Sequence, residues 1–243
     1  MTFTYLITGA SRGLGLAYVS ALLAARPDAM VVATARNPDT AEQLKKVAEE
    51  NEGRVFLLKL DVADAESCKA AAEELEKSGF LGDSGLDALI NNAGIPGSAH
   101  SSSPSETTPT DLLETFSTNV FGVVNVTQAF LPLLRKGQGK QLFTISSSCG
   151  SIEWFGKNAL YPAYSISKTA VNMYMRKVAV ELEPEGFTVI TVCPGYVKTD
   201  FNSGGGVLSL SESVEPTLAN IFLKVSPKDN GRFIQYDGET VPW

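Results

Sequence analysis

The sequence of 243 residues predicts an α/β fold, in which a doubly wound parallel sheet of about seven strands carries helices on both faces. Two observations predict it. Short apolar runs rich in β-branched and aromatic residues alternate with longer segments whose apolar residues recur at helical spacing. A glycine-rich turn also joins the first of these strands directly to the first helix. Since no linker or block of charge divides the sequence, we expect one domain over residues 1–243.

Composition narrows the classes of function. The chain is 44% hydrophobic and 19% charged, as is usual for a globular enzyme. Its net charge of −7, without a basic run, argues against a nucleic acid or an anionic membrane as a partner. The three cysteines have no metal-binding or redox spacing, and no stretch is both apolar and long enough to span a bilayer. With no signal-type leader, we expect a cytoplasmic protein that has no metal site.

The first predicted strand, Thr4 to Thr8, is followed at once by the turn Gly9-Ala10-Ser11-Arg12-Gly13-Leu14-Gly15 and then by a helix. Glycines in such a turn let the backbone approach a pyrophosphate closely, and the N–H groups at the helix N-terminus attract its charge. A glycine cluster alone is most often only a turn. Between a strand and a helix at the start of an alternating chain, it favours nucleotide binding.

The second strand, Met30 to Thr34, leads into Ala35-Arg36-Asn37. In dinucleotide-binding folds an acidic residue here pairs with the free 2′-hydroxyl of NAD, whereas an arginine suits a 2′-phosphate. The acid is absent and Arg36 is present, with Arg12 of the glycine turn as a second cation. Arg36 alone could equally be a solvated loop residue, but two guanidinium groups near one phosphate position predict NADP(H).

The next two strands also end in polar or small residues. Val55 to Leu60 is followed by Asp61-Val62, where the carboxylate could contact an adenine edge or begin the turn into a helix. Leu86 to Ile90 is followed by Asn91-Asn92-Ala93-Gly94. These amides could hydrogen-bond the sugar of a cofactor or the sheet, and asparagines are also common in turns. His100, the only histidine, is predicted to be an ordinary loop residue beyond this strand.

A long helix is predicted from the cap Thr108 to about Arg135, with one broad apolar side. Asn119 interrupts that side, and an amide buried there needs a partner such as a water or a backbone carbonyl. A fifth strand, Lys140 to Ser147, follows the helix. The loop 151–163 then carries apolar residues that predict either the wall of a pocket for an apolar substrate or a loop packed on the core: Trp154, Phe155, Leu160 and Tyr161.

The most informative stretch runs from Ser147, at the end of the fifth strand, to Lys168. A helix from about Pro162 to Leu182 places Tyr164 and Lys168 on one face, one turn apart. A nearby cation lowers the pKa of a phenol from about 10, and lowering it by about 3 units requires about 4 kcal/mol. The Ser147 hydroxyl could hydrogen-bond a substrate oxygen. Alone, Tyr-x-x-x-Lys is most often a half-buried ring and a solvated amine, but the upstream glycine turn favours a proton-donating site.

The C-terminal part begins with a sixth strand, Thr188 to Cys193, which ends in Pro194-Gly195-Tyr196-Val197-Lys198-Thr199. Residues 196–243 are predicted to form the substrate side of the domain. Within them, the glycine-rich residues 203–210 could be a mobile lid. The last strand is predicted from Arg232 to Tyr236.

Together these motifs resemble the short-chain dehydrogenase/reductase family over essentially the whole chain. Thr8 to Gly15 matches TGxxxGxG, Asn91 to Gly94 matches NNAG, and Tyr164 to Lys168 matches YxxxK, with Pro194-Gly195 downstream. The stretch Ser147-Ser148-Cys149-Gly150-Ser151-Ile152 is most similar to the C-factor and sniffer-type carbonyl reductases. The resemblance implies a Rossmann-type sheet.

The resemblance also implies roles in catalysis. Ser147 would polarise the substrate carbonyl; Ser148 and Ser151 are less favoured candidates, which the unusually long gap to Tyr164 leaves open. Asn119 would support a proton-relay water. Lys168 would bind the nicotinamide ribose and lower the pKa of Tyr164.

Further residues are expected to bind the cofactor. Thr199 would hold the carboxamide and Val197 would contact the ring face. The full set expected at the cofactor comprises Gly9, Ser11, Arg12, Gly13, Leu14, Gly15, Arg36, Asp61, Val62, Asn91, Ala93, Gly94, Tyr164, Lys168, Pro194, Gly195, Val197 and Thr199.

The expected reaction is hydride transfer from NADPH to the carbonyl of a small, apolar ketone or aldehyde, while Tyr164 protonates the oxygen. One alternative is an NADP-dependent alcohol dehydrogenase working in the oxidative direction. A non-catalytic NADP(H)-sensing regulator ranks below it, since the tyrosine and the lysine are both intact. The apolar faces of the helices around Asn119 and Tyr164 could pair into a homodimer or homotetramer, or the chain could be monomeric.

Overall fold

The computed structural model describes residues 2–98 and 103–243, so the predicted loop residue His100 lies outside the described ranges. The strands are β1 Phe3–Ile7, β2 Ala29–Ala35, β3 Val55–Lys59, β4 Ala88–Asn91, β5 Gln141–Ile145, β6 Thr188–Cys193 and β7 Phe233–Gln235. The α-helices are α1 Gly13–Ala25, α2 Glu42–Glu50, α3 Ala65–Lys77, α4 Pro109–Phe116, α5 Gly122–Lys136, α6 Ile152–Phe155, α7 Pro162–Leu182 and α8 Leu210–Thr217. Among the described residues no helix is long and apolar enough to cross a membrane.

The strands form one seven-stranded sheet in the order β3-β2-β1-β4-β5-β6-β7, and every neighbouring pair is parallel. The fold class predicted from the sequence is therefore confirmed. Each predicted strand lies within two residues of the observed bounds. The order reverses between β1 and β4, and in sheets of this kind ligands bind outside the carboxyl ends of the strands at such a point.

Side chains alternate between the two faces of the sheet and build a separate core on each. In β1, Tyr5 and Ile7 pack with α1, α2 and α8, whereas Leu6 packs with α3, α5 and α7. All three of these β1 side chains are fully buried. Because both faces are covered, the central strands are apolar throughout, and this makes them easy to recognise in the sequence.

The long predicted helix is found, but a π-helical turn at Ser117–Phe121 separates α4 from α5. Its start is the predicted cap: the Thr108 hydroxyl accepts from the N–H of Asp111, whose carboxylate accepts from the N–H of Thr108. The π-turn contains Asn119, the residue that interrupts the apolar side. Such turns re-aim a side chain by inserting one residue into the helical repeat, and they are frequent at functional sites.

Helix α8 and a second π-helical turn, Leu218–Phe222, lie between the sixth and seventh strands, where no helix was predicted. Pro216 inside α8 explains the omission, because proline weakens a helix that lacks tertiary support. The Phe222 ring lies 5.1 Å from the ring of Tyr18 and 4.8 Å from that of Phe143, measured between centroids. Packing against the sheet therefore stabilises this segment.

We predict that Phe222→Ala lowers the free energy of unfolding by about 3–5 kcal/mol, because Phe222 is fully buried between α1 and the sheet. Leu223→Ala is the matched control, since the neighbouring side chain is exposed, and it should change the stability by less than about 1 kcal/mol. Urea denaturation of both variants measures the difference. Equal losses in the two variants would contradict this packing.

Candidate active site

The loops that follow β1, β4, β5 and β6 meet at one edge of the sheet, because the carboxyl ends of parallel strands share an edge. These loops carry the glycine turn, the Asn91–Gly94 motif, Ser147 and the Pro194–Thr199 segment. Tyr164 and Lys168 come from the first two turns of α7. The fold thus brings together residues that lie up to about 190 positions apart in the chain.

The ends of β1 and β4 are joined by side-chain hydrogen bonds. The Thr8 hydroxyl accepts from the backbone N–H groups of Asn92 (2.9 Å) and Ala93 (3.0 Å). In return, Asn92 Nδ2 donates to the carbonyls of Thr8 (2.8 Å) and Gly9 (3.3 Å). Asn92 was not among the predicted site residues, although it belongs to the matched motif. Its side chain holds the start of the glycine turn through the carbonyls of Thr8 and Gly9.

Two glycines of the turn are required by close packing. Gly9 has φ +66°, and a Cβ there would lie 3.0 Å from the Cα of Ala93. A Cβ on Gly15 would lie 2.3 Å from the Gly9 carbonyl oxygen, which no real contact allows. By contrast, a Cβ on Gly13 would find only Thr199, at 3.9 Å, so the backbone of Gly13 faces open space beside Thr199.

Helix α1 begins at that open glycine and has no side-chain cap. Its first N–H groups therefore have no side-chain acceptor from the N-cap, and the helix dipole directs partial positive charge at the same place. Ser11 and Leu14, next to this N-terminus, are partly buried. The turn suits a pyrophosphate because it has N–H groups without a side-chain acceptor, open space at Gly13 and partial positive charge.

Two arginines are predicted to bind the 2′-phosphate of NADP(H). Arg36 directly follows β2 and is exposed. Arg12 is also exposed, and its Nη1 lies 3.5 Å from a carboxylate oxygen of Asp200. Because an exposed ion pair contributes at most about 1 kcal/mol, a doubly charged phosphate would displace Asp200 readily.

Three of the residues expected at the cofactor, Asn91, Asp61 and Val62, make contacts within the protein at two strand ends. Asn91 is buried, and its Nδ2 lies 3.4 Å from the hydroxyls of Thr127 and Thr144, so its side chain binds the sheet and its neighbouring helix. Asp61 accepts from the N–H of Ala63 at 3.0 Å, as expected for a residue that begins a turn. Val62 is buried against Gly122 of α5, where a Cβ would lie 2.8 Å from Val62 Cγ2.

Asn119 is 1% exposed and uses its whole amide. Its Oδ1 accepts from the N–H of Ile95 (2.8 Å), while its Nδ2 donates to the carbonyl of Ile95 (2.9 Å) and to Ser167 Oγ (3.0 Å). Ser167 in turn donates to the carbonyl of Tyr164 at 2.7 Å. The side chain therefore ties the segment after β4 to the first turn of α7. Of the two partners that the sequence allowed for this amide, a water or a backbone carbonyl, the structure shows the backbone carbonyl, that of Ile95.

Lys168 is 5% exposed, and its Nζ donates to the carbonyl of Ile145 at 2.9 Å. Burial lowers the pKa of this amine to about 8, while the nearby thiols of Cys149 and Cys193 act in the opposite direction. The amine is thus mostly a cation at neutral pH and loses its charge as the pH rises through about 8. A Cβ on Gly94 would lie 3.7 Å from Nζ, so the glycine leaves room beside the amine.

Tyr164 lies one turn before Lys168, whose Nζ is 5.6 Å from the centre of the phenol ring. Burial raises the pKa of Tyr164 above its ordinary value, and Cys149 adds to the rise. The Ser147 hydroxyl acts on the pKa of the phenol in the opposite direction. The lowering expected from Lys168 is therefore not found: the pKa of Tyr164 is raised, and the side chains that act on it are those of Cys149, Ser147 and Cys193. Ser147 Oγ also accepts from the N–H of Cys149 at 3.2 Å, which leaves its proton free to be donated.

The segment after β6 is held in place by several contacts. Ser213 of α8 donates to the carbonyl of Pro194 at 2.6 Å, and Gly195 has φ +81°. Val197 is buried and forms an isolated parallel bridge with Leu208. The predicted lid is thus hydrogen-bonded to the chain before it, and its last residue, 210, is the first residue of α8.

An open groove of about 470 Å³ lies beside the predicted catalytic groups and includes two of the four apolar loop residues predicted as a pocket wall, Phe155 and Leu160. Cys149, two residues after Ser147, and Ser165, next to Tyr164, also line it. Ser147, Tyr164 and Lys168 do not. The groove therefore adjoins the predicted reacting centre without including it.

Residues 4–205 match the sequence profile of the short chain dehydrogenase family, and the chain belongs to this family of oxidoreductases. An uncharacterized oxidoreductase of Schizosaccharomyces pombe is 34% identical, and the alignment covers 98% of this chain and 97% of the relative. The NADPH-bound carbonyl reductase from chicken fatty liver is 34% identical with a TM-score of 0.89, covering 100% of this chain and 99% of that one. The carbonyl reductase Sniffer of Drosophila melanogaster is 31% identical with a TM-score of 0.91, covering 100% of both chains. The resemblance to the sniffer-type carbonyl reductases is confirmed.

Proposed function

We propose that this oxidoreductase is an NADPH-dependent reductase of a small, apolar ketone or aldehyde, with Tyr164 as the general acid. The observation that carries the proposal is the buried amine of Lys168 one helical turn after Tyr164, with its Nζ 5.6 Å from the centre of the phenol ring. The Ser147 hydroxyl, from the end of β5, acts on the same phenol and lowers its pKa. These are the groups that carbonyl reduction needs: a proton donor, a second donor to the same oxygen, and a cation nearby.

Bound NADPH would supply the hydride to the carbonyl carbon. The Ser147 hydroxyl would donate a hydrogen bond to the carbonyl oxygen and so fix its position, while keeping its own proton. Tyr164 transfers its proton to the same oxygen as negative charge develops there. Lys168 favours the phenolate that remains, and Asn119 keeps α7 in register with the segment after β4.

The protonated phenol of Tyr164 suits reduction, in which this group must give up a proton. A buried phenol stays protonated at neutral pH, as a general acid must, whereas alcohol oxidation needs the same group to accept a proton. The NADPH-bound carbonyl reductase from chicken fatty liver, which is similar over the whole chain, supports the same cofactor and direction.

The remaining parts of the proposal follow from the positions of the residues. Gly9 to Gly15 would hold the pyrophosphate, and Ala93, Gly94 and Lys168 would lie along the ribose and nicotinamide. Pro194, Gly195, Val197 and Thr199 would hold the nicotinamide ring and carboxamide, and 196–243 would form the substrate side of one domain. The three free cysteines suit a reducing compartment, and we propose the cytosol.

We predict that Tyr164→Phe lowers kcat for NADPH-dependent carbonyl reduction by about 10²–10⁴-fold or more, because the proton donor is lost while the ring remains. Tyr174→Phe is the matched control: it removes a hydroxyl from a partly buried tyrosine on the same helix, and its rate should stay within about threefold of wild type. Loss of NADPH absorbance with a panel of aldehydes, ketones and quinones measures the rates. An unchanged rate in Tyr164→Phe rules out the assignment.

Cofactor choice gives a separate prediction. We expect NADPH to bind at least about tenfold more tightly than NADH, and Arg12→Ala and Arg36→Ala each to weaken NADPH while changing NADH little, because charge-assisted bonds to a phosphate contribute about 1.5–3 kcal/mol. Lys46→Ala, which removes an exposed cation from α2, is the control. Fluorescence titration gives the dissociation constants. Comparable constants for both cofactors in wild type would refute the NADP(H) assignment.

We further propose that the chain forms a homodimer through α4, α7 and the π-turn after α4. Helices α4 and α7 pack side by side, and their outer sides expose the large apolar residues Leu113, Phe121, Ile166, Met173 and Val180. A self-complementary patch of this kind suits two-fold pairing.

We predict that Met173→Glu places a charge within this interface and produces a monomer, while Val207→Glu, at an exposed site on another segment, leaves the oligomeric state unchanged. Sedimentation velocity distinguishes the two. A wild-type protein that is monomeric at all concentrations would exclude this interface.

A further inference from the structure

An aromatic side chain that the sequence did not single out lies directly against the proposed general acid. The ring centroids of Phe201 and Tyr164 are 5.8 Å apart and the ring planes meet at 62°, so the rings pack edge to face. Such a pair contributes about 0.5–1.5 kcal/mol beyond the area it buries. Phe201 nevertheless remains 38% exposed, so part of its ring surface is available to another molecule.

The backbone that carries Phe201 is held by its neighbours. Phe201 is the middle residue of a single 3₁₀ turn, Asp200–Asn202. Asn202 donates from Nδ2 to the carbonyl of Val197 at 2.9 Å and accepts from the N–H of Thr199 at 3.3 Å. The N–H of Gly204 also bonds the carbonyl of Thr199, at 2.9 Å. The ring is therefore fixed relative to the segment that would hold the nicotinamide.

A second anchor reaches across the cleft. Asp200 pairs with Arg12 of the glycine turn, and a Cβ on Gly13 would lie 3.9 Å from Thr199. The turn that carries Phe201 thus lies close to the cofactor-binding turn on one side and touches Tyr164 on the other. This position is next to the place where a substrate carbonyl must sit to reach both Tyr164 and Ser147.

We propose that Phe201 is a specificity-determining residue, whose ring forms the apolar wall that receives the substituent on the substrate carbonyl. The proposal rests on the proposed function and deepens it by naming the substrate class, which is aryl aldehydes and aryl ketones. An aromatic substituent stacks on the exposed part of the Phe201 ring, gaining contact area and favourable ring geometry, whereas a short alkyl group gains little of either.

The test compares benzaldehyde and acetophenone with propanal in NADPH-coupled turnover. Phe201→Ala should lower kcat/KM for the aryl substrates by about tenfold, mainly through KM, and for propanal by less than about threefold, in line with the loss of one ring pair. Phe201→Tyr keeps the ring and should restore the aryl preference. Tyr196→Ala removes an exposed aromatic side chain from the same segment and should leave the preference unchanged. Thermal unfolding confirms that each variant is folded.

Either of two results would overturn the proposal. An equal fall in kcat for aryl and alkyl substrates would mean that Phe201 only supports Tyr164, and an unchanged preference would mean that the substituent lies elsewhere. Calorimetry with benzamide and acetamide, which NADPH does not reduce, repeats the comparison without turnover in the presence of NADP. If wild type reduces no carbonyl, the proposed function fails. Selective weakening of benzamide by Phe201→Ala then still supports the aromatic wall, and equal weakening of both amides rejects it.

Discussion

One buried hydroxyl group, that of Thr8, joins the two strands whose loops form the cleft. It accepts two backbone N–H groups from the end of β4, and Asn92 returns two hydrogen bonds to the end of β1. These strands are neighbours in the sheet although Thr8 and Asn92 are 84 positions apart. This junction places Gly9 against Ala93. The close packing restricts the backbone of the glycine turn, which would bind a pyrophosphate.

Burial then sets the electrostatics of the reacting groups. Lys168 gives up water for a carbonyl of β5, and its pKa falls to about 8. Burial moves the pKa of Tyr164 the other way, so the phenol holds its proton. Asn119 holds the first turns of α7, which carry Tyr164 and Lys168, against the segment after β4 through three hydrogen bonds.

Predictions from the sequence succeeded where a local pattern carries the information. All seven strands were located because strands covered on both faces are continuous apolar runs. The cap at Thr108 was visible as a single residue with a recognisable role, whereas Asn119 was recognised as an interruption of the apolar side and not as the place of a π-helical turn. Helix α8 was missed because Pro216 argues against a helix, and its stability comes from contacts such as those of Phe222 with Tyr18 and Phe143.

The sequence by itself determined the class of sheet, the order of its elements and the identity of the residues at each strand end, since these depend on periodicity and on short motifs. Only the tertiary structure decided which groups the side chains of those residues contact. It directs Asn91 into the sheet and Asn92 onto the glycine turn, although the two adjacent amides are chemically identical. It also brings Phe201 onto Tyr164 across 37 positions of chain. Direction and distant contact follow from how the strands pack in three dimensions, and no local pattern in a sequence records that packing.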